Sequence, residues 1–369
     1  MWRRSVSAGY RCYGCRSFGP KGIWGSHAVR ACSAPALPAG RITALQAMDL
    51  WKRHFEERGV TEPDHSSQYI MAHLLGAKTI ESLERGKLTE VLSREKTLQV
   101  WELCTRRLSR MPVQYVIEEW DFRDLTLRMR PPVFIPRPET EELVELVLKD
   151  MEMKPGTGPG ADAQHTCLEV GCGCGAISLS LLKGLPQLKA IALDRSQEAV
   201  DLTRENGLML GLQDRLQIYH IDVMKDAESV LSLCSPVSAV VSNPPYLFSE
   251  DMASLEPEII RFEDHSALDG GNDGLTVIKQ ILALAPRILS NHGGGPQATP
   301  ARSAVGGGEC GSAALCGDTA RHHRQAAILH PSEKISQTTT TSWIWIEKLR
   351  SYYAGFSPRS PQPQLPYPR

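Results

Sequence analysis

Leu168-Glu169-Val170-Gly171-Cys172-Gly173-Cys174-Gly175 runs from an apolar segment with one acidic residue near its end into three glycines at alternate positions. The apolar part reads as a buried strand. Glycine lets the backbone turn tightly and approach a ligand closely. A helix is predicted near 176–184, so the glycines stand at the carboxyl end of a strand, where open parallel sheets bind their ligands. The Gly-x-Gly-x-Gly spacing lacks the offset that suits a pyrophosphate. On its own, such a turn could also be purely structural.

The pattern around this stretch supplies a sheet. Strands are predicted at 167–170, 190–194, 216–222 and 239–242. Helices are predicted at 141–151, 176–184, 196–211 and 273–290. Alternation of this kind implies a parallel, doubly wound α/β sheet with helices on both faces. Asp194 closes the second strand, about 20 residues after the glycine loop, where a carboxylate can accept both hydroxyls of a ribose. It could equally cap the following helix, which opens Arg195-Ser196-Gln197-Glu198. Asp222 ends the third strand and could receive an adenine amino group, or simply turn the chain.

The most specific signal is Asn243-Pro244-Pro245-Tyr246, directly after the fourth strand. Two prolines stop the strand and stiffen the backbone. The Asn243 side-chain oxygen and the Pro244 carbonyl are both acceptors, held in a fixed relation. A nitrogen bearing two hydrogens can donate one to each, which turns its lone pair toward an incoming methyl group. Tyr246 is expected to pack against the planar substrate group.

Residues 42–110 read as a helical bundle. Leu50, Trp51, Phe55, Ile70, Leu74, Leu75, Leu83, Leu88, Leu92, Leu98, Trp101 and Leu108 are its candidate core positions. From Gln114 to Arg130 the period changes to two, so Tyr115–Ile117, Trp120–Phe122 and Leu125–Leu127 read as a hairpin of two strands around Arg123-Asp124. Beyond Asn291 the chain is rich in Gly, Ala, Pro and Ser, and 356–369 is Pro-rich. Only Trp343-Ile344-Trp345-Ile346 looks like a strand there.

The composition is that of an ordinary globular chain, with 41% hydrophobic and 22% charged residues. No run approaches the roughly 18 apolar residues of a membrane span. Before Asp49 there are seven basic residues and no acidic one, the pattern of a mitochondrial transit peptide. Removing that segment leaves a net charge of about −8, which argues against a surface that grips phosphates. Ten cysteines form no metal-ligand framework: Cys12 and Cys15 have no partner pair, and Cys172 and Cys174 serve as small side chains in the glycine loop.

These residues together resemble the HemK/PrmC family of release-factor glutamine methyltransferases, in particular its mitochondrial member. The likeness covers roughly 45–290. It adds Pro112-Val113-Gln114-Tyr115, Ile135-Pro136-Arg137-Pro138-Glu139-Thr140-Glu141, and Ala267-Leu268-Asp269-Gly270-Gly271 followed by Asp273-Gly274-Leu275. The resemblance implies a Rossmann-like class I sheet that uses S-adenosylmethionine, preceded by a small helical domain and a hairpin. It implies cofactor contacts from Glu169, Gly171, Cys172, Gly173, Cys174 and Gly175, with ribose on Asp194 and adenine near Asp222 and Val223. Arg137, Thr140 and Asn243 line the same pocket. The implied substrate is the glutamine of a release factor's Gly-Gly-Gln motif, with Asn243, Pro244 and Tyr246 acting on it and Pro245 beside them.

The expected organisation is a leader at 1–41, a substrate-recognition domain at 42–112, a linking hairpin at 113–135, the methyltransferase domain at 136–291, and a divergent tail at 292–369. The family continues with a further buried strand and an antiparallel pair, which this ending does not reproduce, so the sheet is expected to stop at 239–242. Two other readings compete: N6-adenine methylation of DNA or RNA, which the same turn would suit, and a chain that binds cofactor or partner without turnover. The protein is expected to act as a monomer in the mitochondrial matrix.

Overall fold

The computed structural model describes residues 34–152, 165–234, 236–289 and 343–346. The leader to residue 33 and most of the tail lie outside them. The helical domain opens with α1 (Ala44–Glu57), where Thr43 Oγ1 accepts from Gln46 N at 3.2 Å and Gln46 Oε1 accepts from Thr43 N at 3.0 Å. This reciprocal cap satisfies two otherwise orphaned amides. α2 (Pro63–Leu74) starts with a proline in its first turn, a position that needs no amide. A short α3 (Arg85–Thr89) leads to α4 (Arg94–Leu108), capped by Ser93.

The core of this domain is Trp51, Phe55, Ile70, Met71, Val100, Trp101, Cys104 and Leu108. Trp51 and Trp101 meet edge to face, with centroids 5.4 Å apart. Leu98 was expected in this core but is exposed; on α4 the buried stripe is Val100, Trp101, Cys104 and Leu108. Leu50, Leu74, Leu75 and Leu88 only half-bury at its edge.

Tyr115–Ile117 is helical rather than extended. Pro112 opens a single turn, α5 (Val113–Ile117), which buries Tyr115, Val116 and Ile117 together. Tyr115 donates its hydroxyl to Val133 O. Glu118, at φ 63°, then reverses the chain into β1 (Glu119–Phe122), paired antiparallel with β2 (Leu125–Arg128). A continuous apolar run cannot by period separate a buried helical turn from a strand.

After α6 (Glu139–Glu152), the sheet is built from β3 (Thr166–Val170), α7 (Ala176–Gly184), β4 (Lys189–Asp194), α8 (Gln197–Met209), β5 (Leu216–His220), α9 (Ala227–Cys234) and β6 (Ala239–Ser242). α10 (Pro257–Phe262) and α11 (Thr276–Ile288) follow. The third strand stops at His220, two residues short of the expected Asp222, and α9 and α10 were not foreseen. The strands run parallel in the order β5-β4-β3-β6, flanked by β7 (Trp343–Ile346).

Both faces of this sheet are covered, which is why its strands read as unbroken apolar runs. Alternate residues divide between the faces. Cys167, Ala190, Ala192, Ala239 and Val241 pack toward α6, α7 and α8, while Leu168, Ile191, Leu193 and Val240 pack toward α9 and α11. The chain winds outward from β3 to β5 and returns to β6 on the other side of β3. That reversal opens a crevice at the carboxyl ends of β3 and β6.

The expectation that the sheet stops at β6 is corrected. Leu289 forms a parallel bridge with Val237 as the chain leaves α11, and Trp343–Ile346 pairs in parallel with Ala239–Ser242. Two separate pieces of chain thus occupy one lane beside β6. A chain ended at Ser342 should lose this pairing, lower the thermal midpoint by at least about 5 °C and bind more hydrophobic dye. An unchanged melting curve would show that β7 carries no weight in the sheet.

Candidate active site

Strand register assembles the site. Val170 pairs with both Leu193 and Ser242, so Gly171, Asp194 and Asn243 emerge side by side at the ends of adjacent strands. Ser242 Oγ donates to Val170 O at 2.7 Å, and Gly171 N and Cys172 N donate to Leu193 O at 2.8 and 3.0 Å. Motifs separated by some 70 residues of chain are thereby fixed within one hydrogen-bonded row.

The glycines differ in what they do. Gly171 and Gly173 sit at φ 78° and 56°, with open space where a side chain would stand. Gly175 has no such room: a Cβ there would lie 2.9 Å from Leu179 and 3.0 Å from Thr203. The first two therefore leave a cleft open, and the third lets α7 pack.

That cleft is lined by Gly171, Gly173, Asp194, Asp222, Val223, Asn243, Pro244 and Pro245. Phe134, Met224, Asp264 and Ser266 also line it and were not singled out from the sequence, while Ala267 opens a motif that was. Phe134 adjoins Ile135-Pro136-Arg137 and Ser266 adjoins the Ala267 motif, so proximity to those motifs was the available signal. A smaller adjoining cavity is lined by Thr140, Glu169, Cys172 and Cys174, and shares Phe134, Gly171, Gly173 and Asn243 with the first.

Asp194 is not the cap of α8; Ser196 is. Instead one Asp194 oxygen accepts from Gly173 N and the other from Ser196 N, each at 2.9 Å. The carboxylate thus locks the glycine loop to the end of β4 and keeps lone pairs toward the cleft. Burial raises its pKa despite these donors. Asp222 accepts from Met224 N at 3.0 Å just beyond β5, at the far side of the cleft.

Glu169 is enclosed, 1% exposed, and Ser178 donates both its backbone N–H, at 3.0 Å, and its hydroxyl to it. Burial pushes this carboxyl up to about 8, with the Ser178 bonds opposing. Cys172 and Cys174 are buried thiols, held neutral as burial drives the first well above its usual value and the second to about 12.

Two expectations change. Arg137 lines neither cavity; its guanidinium lies 4.7 Å over the Phe134 ring and donates to Glu263 at 2.6 Å. It braces a wall of the cleft from behind. Tyr246 also lines neither cavity. Its side chain packs on the apolar cluster of the α9 and α11 face, and its backbone is held by Gly270, where a Cβ would come within 2.8 Å of Tyr246 Cα. Leu247 and the 268–270 segment add two backbone hydrogen bonds, Leu247 N to Leu268 O and Gly270 N to Leu247 O. Tyr246 therefore anchors the turn, with its side chain on that apolar cluster.

Asn243 is the distinctive group. Its Nδ2 donates to Thr140 Oγ1 at 3.2 Å, while its Oδ1 is buried without a hydrogen-bond partner among the described residues. A buried acceptor left open costs about 1–3 kcal/mol, and here it stands where the two cavities meet.

The raised Glu169 pKa has a signed consequence. The folded state holds this proton up to about 8, whereas an unfolded carboxyl releases it near 4.5. Its contribution is therefore full below 4.5 and disappears as pH rises through about 8. Glu169→Gln should flatten the fall in thermal midpoint across that window, as followed by calorimetry; a slope equal to the wild type would mean that Glu169 is ionised in the fold.

A PrmC N-terminal domain model matches residues 46–117 and a methyltransferase small domain model matches 140–293. The human MTRF1L release factor glutamine methyltransferase is 49% identical over 69% of this chain and 75% of its own length. The release factor glutamine methyltransferase of Deinococcus radiodurans is 33% identical over 63% of this chain and 76% of its own, and that of Gloeobacter violaceus 35% over 66% and 81%. Similarity of this extent spans the helical domain and the sheet alike, and the chain belongs to the release factor glutamine methyltransferases, a family of S-adenosylmethionine-dependent enzymes.

Proposed function

We propose that this chain methylates the side-chain nitrogen of the glutamine in the Gly-Gly-Gln motif of a mitochondrial peptide chain release factor, acting as a monomer in the matrix. The observation that carries the reading is the buried, open Oδ1 of Asn243, oriented by Thr140 at the junction of two cavities. A primary amide supplies the two N–H donors that this oxygen and the neighbouring Pro244 carbonyl can accept. The basic leader supports the address, though its residues lie outside those described. The acidic balance that remains favours a protein substrate over a nucleic acid.

The cleft residues fit S-adenosylmethionine. Asp194 and Asp222 offer acceptors for its ribose and adenine, Gly171 and Gly173 leave room for its backbone-facing part, and Asn243 bounds both cavities. When bound, this cofactor supplies an electrophilic methyl group on a positively charged sulfur. The protein's contribution is to hold the amide nitrogen in line with that methyl. Amide nitrogens are weak nucleophiles, so alignment carries much of the rate; in favourable cases it is worth roughly 7–11 kcal/mol. Acceptors at Asn243 and Pro244 draw on the N–H bonds and stabilise charge as it develops on nitrogen. With the cofactor bound, forming the N–C bond would break the S–C bond and leave a neutral thioether. The methylated nitrogen would lose one N–H proton to water, so no strong base is assigned.

Asn243→Ala should lower kcat by about 10²–10³. Thr140→Val, which removes the partner that sets the Asn243 amide, should cost about tenfold. Both are read by mass spectrometry of a release factor carrying Gly-Gly-Gln after incubation with S-adenosylmethionine, with an adenine-bearing oligonucleotide as the competing acceptor. Normal turnover by Asn243→Ala would remove that residue from the mechanism. Methyl transfer to the oligonucleotide in place of the factor would overturn the substrate.

A further inference from the structure

The segment that follows the acceptor turn connects three parts of the molecule. Glu258, on α10, is buried, and its Oε1 accepts hydrogen bonds from Thr61 Oγ1 at 2.8 Å, Arg110 Nη1 at 3.0 Å and Arg107 Nη1 at 3.2 Å. All three donors belong to the helical domain or the residues leaving it. Arg107 is itself buried and saturated: it also donates to Ser66 Oγ at 2.9 Å, Thr61 O at 2.8 Å and Met111 O at 3.2 Å.

Beyond Glu258, the buried Glu263 accepts from Arg137 at 2.6 Å and from Ile135 N at 3.2 Å, and Asp264 N donates to Pro132 O at 2.8 Å. Asp264, Ser266 and Ala267 then line the cofactor cleft. One short stretch of chain is therefore fastened to the helical domain at its start and to the cleft wall at its end.

Stability alone is a poor reason for such a tie. Desolvating a buried ion pair offsets most of its attraction, and apolar residues of the same volume would often serve as well. What directional hydrogen bonds from three donors provide is orientation, because an apolar contact can slide while an oxygen held by three donors cannot. The second oxygen, Oε2, is buried with no hydrogen-bond partner among the described residues. Fixing register is the best-attested use of buried charge. The need for register is plain when recognition and chemistry lie on different domains, since a misplacement of about 1 Å at the reacting atoms can cost 10²-fold.

Resting on the reading that a release factor is the substrate, we propose that Glu258 is a positioning residue for methyl transfer. It sets the helical domain in the orientation from which a protein held there presents its glutamine to Asn243. Glu258 touches neither cavity, so its effect is exerted through the placement of the substrate protein.

The test uses the full chain, a release factor carrying Gly-Gly-Gln, and S-adenosylmethionine. Glu258→Gln keeps the shape and removes the charge that holds the two arginines. The expected result is a KM for the release factor raised about ten- to hundredfold, with the calorimetric Kd for S-adenosylmethionine within about twofold of wild type. Arg110→Met, at the partly exposed side of the tie, should give the same pattern more weakly and covers the case in which Glu258→Gln folds poorly. An unchanged KM in folded variants overturns the proposal. So does a parallel loss of cofactor affinity and thermal stability, which would make the tie merely structural. A wild-type chain that leaves the release factor unmodified overturns the substrate reading instead, and the positioning role falls with it.

Discussion

The parallel pairing of β3 with β6 is the constraint on which everything else rests. One register, Val170 opposite Ser242, decides that the glycine loop and the Asn-Pro-Pro turn emerge as neighbours. A slip of one residue would turn every side chain of β6 to the other face. Ala239 and Val241 would then exchange places with Val240, and two differently shaped cores would each receive the wrong residues. The hydrophobic layers thus enforce the geometry of the site, and a few of their members, Val170, Leu193 and Val223, form part of the cleft wall itself.

Around that row the protein withholds hydrogen bonds selectively. The Asp194 oxygens are each occupied by a backbone donor, and the Glu169 carboxyl is closed off against Ser178. Asn243 is treated differently: one end of its amide is tied to Thr140 and the other is left open. An amide rotated by half a turn would present a donor where an acceptor is required. The Thr140 hydroxyl, at the start of α6, meets the Nδ2 end of that amide and so belongs to the arrangement of the candidate site.

Much of this was legible in the sequence, because the signals were local. Proline and glycine punctuation marked the ends of β3 and β6, and alternation of strand and helix specified a parallel sheet. The misreadings have physical causes as particular as the successes. Tyr115–Ile117 is apolar on every side, so its period could not separate a helical turn from a strand. Tyr246 and Arg137 were assigned by motif, yet a motif does not say which way a side chain points. The Tyr246 backbone is pinned by Gly270, and Arg137 is claimed by Glu263, far away in the chain. The Glu258 contacts span some 150 residues and leave no local trace.

The lane beside β6, begun by Leu289 and continued by Trp343–Ile346, has a consequence for the order of folding. Pairings between residues close in sequence form early, whereas those that must close a long loop come late. β3, β4, β5 and β6 can therefore assemble while Trp343 is still remote, and during that interval β6 is an open edge with its amides and carbonyls unpaired. On a ribosome the delay is longer still, since the last strand is made after every other element of the sheet. The Asn-Pro-Pro turn grows from the same β6, so the candidate site stands beside the edge that is sealed last against other chains.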